Sequence, residues 1–118
     1  MIKNNEQTQA YYFKEGSWIT ELWNEDSDSE VSIAKVSLPA GQKTLPHYLA
    51  NTSERYLITA GTGMVYLQNQ SARKVTAGDV VYIQPGIIQS IANPETQTDL
   101  EFLAICSPRF EEKNYFAA

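Results

Sequence analysis

Histidine and cysteine are nearly absent from this 118-residue sequence, which contains one of each. A single cysteine cannot form an internal disulfide. A single histidine excludes, within one chain, every site that needs two or more imidazoles, which covers most zinc hydrolase and facial-triad iron designs. No apolar run approaches the ~20 residues that span a bilayer, so we expect no membrane partner.

Positive charge is also scarce. Nine lysines and arginines stand against fourteen acidic residues, which gives a net charge of -5. This is the wrong sign for following a phosphate backbone, and we expect no nucleic acid partner. Residues 1–14 contain no apolar segment typical of a secretory signal, so a cytoplasmic protein is expected.

The size and composition predict one domain over residues 1–118. A chain of this length is below the roughly 150 residues of an average domain, yet long enough to bury a core without disulfides or structural metal. Hydrophobic residues make up 42% of the chain and charged residues 19%, which argues against disorder.

Short apolar runs with β-branched residues predict an all-β fold. Turn residues such as Gly61, Gly78 and Pro85-Gly86 separate the runs at intervals typical of a sandwich or barrel. The predicted strands are residues 17–23, 31–38, 56–58, 64–67, 80–83, 87–91 and 100–106. The only helical expectation is a single turn within residues 111–116.

Two blocks of the sequence carry polar residues and glycines at suggestive spacings. Residues 41–63 contain, in order, Gly41, His47, Leu49, Glu54, Gly61 and Gly63. Residues 78–93 contain, in order, Gly78-Asp79, Pro85-Gly86, Gln89 and Asn93. Because side chains alternate along a strand, His47 and Leu49 share one face, and a strand beginning at Glu54 could place its carboxylate beside the imidazole.

These blocks resemble the paired motifs of the cupin superfamily. The first motif of that family contains Gly, His-x-His, Glu and Gly, and the second contains Gly-Asp, Pro-Gly, His and Asn. The resemblance covers about residues 41–93 and implies a small single-domain cupin with a double-stranded β-helix, the cupin jelly-roll barrel. It also implies a small-molecule ligand and a homodimer, which would cover exposed strand edges.

The metal-ligand set implied by the resemblance is altered in this chain. Leu49 stands where the family has its second histidine, and Gln89 stands where it has its last. The remaining set is His47, Glu54 and Gln89. Such a set would hold a divalent transition metal (Fe, Mn, Zn or Ni) weakly, with water at the other positions, or hold none.

A metal-free function is the competing interpretation. His47 and Glu54 would form a catalytic acid/base pair, because histidine exchanges protons near neutral pH. Such a pair suits proton transfer by a lyase, isomerase or cyclase. These enzymes catalyse reactions that resemble those of known small cupins. The alternative is a non-catalytic ligand-binding cupin with a degenerate metal site, and a purely structural dimer is a third hypothesis.

Other side chains have two interpretations each. Leu49, Tyr56 and Gln89 are expected in the substrate pocket, although core packing is the favoured role of Tyr56 and Gln89 could equally bond neighbouring strands. Cys106 is expected to be a buried, inert thiol. Arg109 is available to an anionic ligand, or else lies on the surface.

Overall fold

Short antiparallel strands form almost all of the regular structure in the computed structural model, which describes residues 1–118. The eleven strands are β1 (Tyr11–Phe13), β2 (Ser17–Trp23), β3 (Ser32–Leu38), β4 (His47–Leu49), β5 (Ser53–Ala60), β6 (Thr62–Leu67), β7 (Arg73–Thr76), β8 (Val80–Ile83), β9 (Gln89–Ala92), β10 (Leu100–Ser107) and β11 (Tyr115–Ala117). The only helical segments are single 3-10 turns at Asn5–Gln7 and Glu112–Asn114. Neither is of a length and hydrophobicity that would let it traverse a lipid bilayer.

The strands form two facing sheets. The first sheet has the order β1-β2-β3-β10-β5-β8, and the second has the order β11-β4-β9-β6-β7. Strands far apart in sequence are neighbours, so β10 pairs with both β3 and β5. This arrangement confirms the predicted all-β, double-stranded β-helix fold.

The core lies between the sheets and follows the alternation of side chains along each strand. Leu100, Phe102, Ala104 and Cys106 of β10 are buried, and the residues between them are partly exposed. Most buried apolar residues form one cluster of thirteen, and Leu49, Cys106 and Tyr115 form a separate small one. Each large apolar side chain in such a core contributes roughly 1.5–3 kcal/mol through burial.

The structure adds strands that local patterns did not predict. The bounds of β2 match the prediction, but β1, β7 and β11 were not predicted at all. Residues 111–116 contain a 3-10 turn followed by β11, which pairs with β4. The three-residue strands β1 and β11 owe their existence to a distant partner strand, and hydrophobic periodicity cannot show so short an element.

Two glycines with positive φ provide a matched test of the fold. Gly61 (φ +82°) and Gly78 (φ +94°) both use backbone conformations that disfavour a side chain, but their surroundings differ. A Cβ at Gly61 would collide with the backbone carbonyl of Asp99, whereas one at Gly78 would meet no atom within 4 Å.

We therefore expect Gly78→Ala to lower the free energy of unfolding by about 1–2 kcal/mol through conformation alone. Gly61→Ala should cost clearly more, because the carbonyl of Asp99 must also move. Urea unfolding of both variants measures the difference, and equal losses would contradict the close packing at Gly61.

Candidate functional site

A cavity opens between the two sheets beside β4 and β11. Its empty space, counted together with the open mouth, is about 550 Å³. Most of its walls are apolar, including Phe13, Leu49, Phe102 and Phe110. Polar atoms converge in it from His47, Glu15, Glu21 and Glu54.

His47 is fixed through both ring nitrogens. It is 2% exposed, and its ring stacks on that of Tyr115 with the centroids 4.9 Å apart. Nδ1 lies 2.8 Å from the carbonyl oxygen of Leu45, and Nε2 lies 3.2 Å from Oε2 of Glu15. A carbonyl oxygen only accepts hydrogen bonds, so Nδ1 must carry a proton. The mobile proton of this histidine is therefore the one between Nε2 and Glu15.

Glu15 reaches the cavity from the turn between β1 and β2. Gly16, at φ +101°, lets the chain reverse there, and its N–H donates to the carbonyl of Phe13. Oε1 of Glu15 accepts a 2.7 Å bond from the Ser17 hydroxyl, which leaves Oε2 for His47. The backbone carbonyl of Glu15 also accepts a 2.7 Å bond from the N–H of Leu45. Glu15 thus joins the turn to the segment that leads into β4.

Glu15, and not Glu54, is the carboxylate paired with His47. Glu54 lines the same cavity as His47, as the sequence suggested, but makes no ion pair with it. The direct neighbours of Glu54 in its own sheet are Cys106 and Ile83. No local motif marks Glu15, since its role arises from a contact with a residue 32 positions later.

Glu54 occupies an environment that favours its neutral form. Burial raises the pKa of Glu54 to about 8, and the charge of Glu15 adds to this effect. The Gln89 amide and the Cys106 thiol act in the opposite direction. Oε1 of Glu54 is shielded from solvent and has no hydrogen-bond partner. At neutral pH this side chain is therefore mainly a carboxylic acid that can donate a proton into the cavity.

Gln89 is held by Tyr56 and does not line the cavity. The Tyr56 hydroxyl donates to Oε1 of Gln89, while Nε2 of Gln89 has no partner. Leu49 and Tyr56 line the cavity where the sequence placed them, and Tyr56 also belongs to the core. Burial raises the pKa of Tyr56 well above its usual range, so its phenol stays protonated and donating.

Cys106 and Arg109 have no free reactive group in the site. Burial, followed by the charge of Glu54, raises the pKa of the Cys106 thiol, which keeps it protonated. Arg109 does not line the cavity and is engaged by Asp26 at 2.6 Å and Glu111 at 3.7 Å. Of the two alternatives for Arg109, the structure favours a position outside the cavity, where its partners are carboxylates of the protein.

Comparisons with known proteins agree with this architecture. The family model described as Cupin matches residues 3–118, and the chain belongs to that family. An uncharacterized protein of Methanocaldococcus jannaschii is 34% identical over 90 residues, which cover 75% of this chain and 71% of that protein.

Two solved structures illustrate the shared fold. Pac13 of Streptomyces, a nucleoside dehydratase, superposes with a TM-score of 0.82 at 19% identity, covering 100% of this chain and 90% of that one. A predicted oxalate decarboxylase of Thermotoga maritima superposes with a TM-score of 0.78 at 25% identity, covering 92% and 99% of the two chains. The chain is thus a cupin with a small-molecule pocket.

The side chains of this pocket do not fit the divalent metal that many cupins hold. Both ring nitrogens of His47 are engaged, the Gln89 oxygen accepts from Tyr56, and Leu49 offers no donor atom. No group of three His, Cys, Asp or Glu side chains is arranged to hold an ion. Gln89 lies opposite His47 where β4 pairs with β9, and its amide acts on Glu54, so the three residues of the predicted weak metal site are neighbours. Nε2 of His47 and the Gln89 oxygen already have partners, however, and are not free to bind an ion.

Metal content tests this disagreement with the family pattern. Protein purified without chelator should carry less than about a tenth of an equivalent of Fe, Mn, Zn or Ni, and added Mn²⁺ or Zn²⁺ should not raise Tm. A near-stoichiometric metal that is lost in His47→Ala would contradict the donor arrangement described above.

The raised pKa of Glu54 predicts that stability depends on pH. The pKa of the Glu54 carboxyl is ordinarily 4.5 and rises to about 8 in the folded protein. Between these two values the folded protein therefore binds more protons than the unfolded chain. Stability should therefore fall as pH rises from about 5 to 8, by up to about 1.4 kcal/mol per pH unit.

Glu54→Gln removes this titration, and its Tm relative to wild type should rise between pH 5 and pH 8.5. Glu95→Gln, at an exposed position, serves as the control and should follow the wild type. Thermal melts across this range measure the effect. Parallel pH profiles for wild type and Glu54→Gln would show that Glu54 is not a buried acid.

Proposed function

We propose that this cupin is a proton-transfer enzyme of the lyase or isomerase type. The pair His47–Glu15 holds one mobile proton, and Glu54 holds another. The proposal rests on one observation. Nε2 of His47 lies 3.2 Å from Oε2 of Glu15, in the same cavity as the Glu54 carboxyl, whose pKa is raised to about 8. Two carboxylates in environments that separate their proton affinities are typical of acid/base sites.

The chemistry assigns one proton to each step. The His47–Glu15 pair first releases its shared proton to solvent and then takes the proton from a carbon next to a carbonyl group of the substrate. In elimination, the released electron pair forms a C=C bond, the hydroxyl on the next carbon leaves, and Glu54 protonates it to give water. In isomerisation, Glu54 protonates the enolate at another atom. In either reaction the proton held by the pair returns to solvent or to Glu54, and the site is restored.

The surroundings support such a reaction. The bond from Nδ1 to the Leu45 carbonyl and the stacking on Tyr115 hold the imidazole in one orientation. Apolar walls keep bulk water away from the proton carriers. The nucleoside dehydratase activity of the structural neighbour Pac13 is an elimination, which agrees with the lyase option.

A ligand-binding protein without turnover is the second candidate. Oε1 of Glu54 and Nε2 of Gln89 are buried without partners, and a ligand could satisfy Oε1 without any reaction. The homodimer and the cytoplasmic location stay predictions for either function.

Hydrogen exchange tests turnover even when the product of the reaction has not been identified. A panel of small β-hydroxycarbonyl compounds and sugars is incubated with the protein in D2O, and NMR follows deuterium uptake at carbon and loss of water. We expect His47→Gln, Glu15→Gln and Glu54→Gln each to lower the rate by about 100-fold or more, while Glu95→Gln retains it. A compound that raises Tm yet never exchanges in the wild type would favour the ligand-binding protein.

A further inference from the structure

We propose that the cavity selects substrates without a negative charge, and that Glu21 is the residue that rejects anions. The expected substrate is an uncharged molecule that carries hydroxyl and carbonyl groups. This inference names the substrate class of the proposed reaction and rests on that proposal.

The charges that line the cavity are unfavourable for an anion. Glu15 and Glu21 line it together with Glu54, which is mainly a neutral acid at pH 7, and no lysine or arginine does. His47 is the only basic side chain there, and Glu15 already pairs with it. A carboxylate or phosphate would lose its hydration in a mainly apolar space without gaining a counter-charge, and this desolvation is costly.

The cations around the cavity mouth already have acidic partners. Lys3, whose charge acts on Glu21, is paired with Glu25 at 3.7 Å. Arg109 and Lys14 lie in the groove outside the cavity mouth. Arg109 is bonded to Asn24 and Asp26, and Lys14 is paired with Glu112 at 3.3 Å. The ammonium of Lys14 also lies 4.6 Å from the centre of the Tyr115 ring. All three cations already have partners, so recruiting any one of them would break existing contacts.

Glu21 stands where the cavity meets this outer groove, because it lines both. Its Oε1 accepts a 3.1 Å bond from the hydroxyl of Tyr11. Burial raises the pKa of Glu21, and the bond from Tyr11 and the charge of Lys3 oppose this rise. The mechanism uses Glu15, His47 and Glu54 and leaves Glu21 without a role. A negative charge at this position opposes the entry of another negative charge and does not hinder a neutral molecule.

The polar atoms of the cavity suit uncharged groups. Glu54 lines the cavity, and as a carboxylic acid it can bond a hydroxyl or carbonyl oxygen of the substrate. The rings of Phe13, Tyr11 and Phe110 offer apolar surface to the carbon skeleton. Together these groups bind a neutral oxygenated compound without leaving a buried charge unpaired.

Matched fragment pairs test the inference. Each pair consists of a carboxylic acid and the corresponding primary carboxamide, and ligand-observed NMR measures both affinities. A fragment is counted as a cavity binder when its NMR signal of binding is lost in Ala104→Phe, because the larger side chain fills the cavity. If this variant fails to fold, Ala34→Leu takes its place. We expect carboxamides to bind at least about tenfold more tightly than their carboxylates at pH 7.5.

Glu21→Gln tests whether Glu21 is the residue that rejects anions. This variant should strengthen carboxylate binding at least about fivefold and leave carboxamide binding unchanged, whereas Glu95→Gln should change neither. Carboxylates that bind as tightly as their carboxamides would overturn the inference, as would a cavity that binds no uncharged fragment. An unchanged preference in Glu21→Gln would overturn the role of Glu21.

These results are independent of the exchange experiment. If deuterium exchange fails while the charge preference holds, the proposed enzyme function fails and the preference describes a binding pocket. If exchange succeeds on anionic compounds, proton transfer stands and the substrate class is wrong.

Discussion

The contact of Glu15 with His47 is the interaction on which the site depends. It connects the turn between β1 and β2, in the first sheet, to β4 in the second. Two further bonds reinforce it, from the Leu45 N–H to the Glu15 carbonyl and from His47 Nδ1 to the Leu45 carbonyl. The two bonds of Glu15 join the sheets beside the cavity, and the bond between His47 and Leu45 fixes which nitrogen of the only histidine has a mobile proton. A chain with one imidazole can in this way build an acid/base site without a second histidine.

Glu15 and Glu54 have different partners in the cavity. Glu15 has a hydroxyl donor and an imidazole, which stabilise its charge. Glu54 has one unpartnered oxygen and a weak, 3.8 Å contact with the Cys106 thiol, so burial dominates and the neutral form prevails. The charge of Glu15 reinforces this, because a second negative charge nearby is unfavourable. The same low-dielectric space that keeps Glu54 neutral also disfavours an anionic ligand.

The sequence predicts the fold well, because strand alternation and turn residues are local signals. It also predicts that His47 and Leu49 face inward and that Glu54 reaches the interior. Glu15 could not be found in this way, since its position depends on a turn that lies 32 residues from its partner. The spacing of the cupin motifs indicated Glu54 as the partner of His47, but motif spacing does not tell which sheet presents each side chain. The strand β11, which places Tyr115 against the imidazole, is likewise a product of pairing with β4.

The most direct test of this account is the protonation state of the single imidazole, which ¹⁵N NMR resolves without interference from other histidines. The account predicts that Nδ1 of His47 carries a proton at every pH at which the protein is folded, and that Nε2 is the nitrogen that exchanges with Glu15. Glu15→Gln should change the Nε2 signal and leave Nδ1 protonated. A neutral imidazole with its proton on Nε2 and an unprotonated Nδ1 would contradict the arrangement from which the proposed chemistry follows.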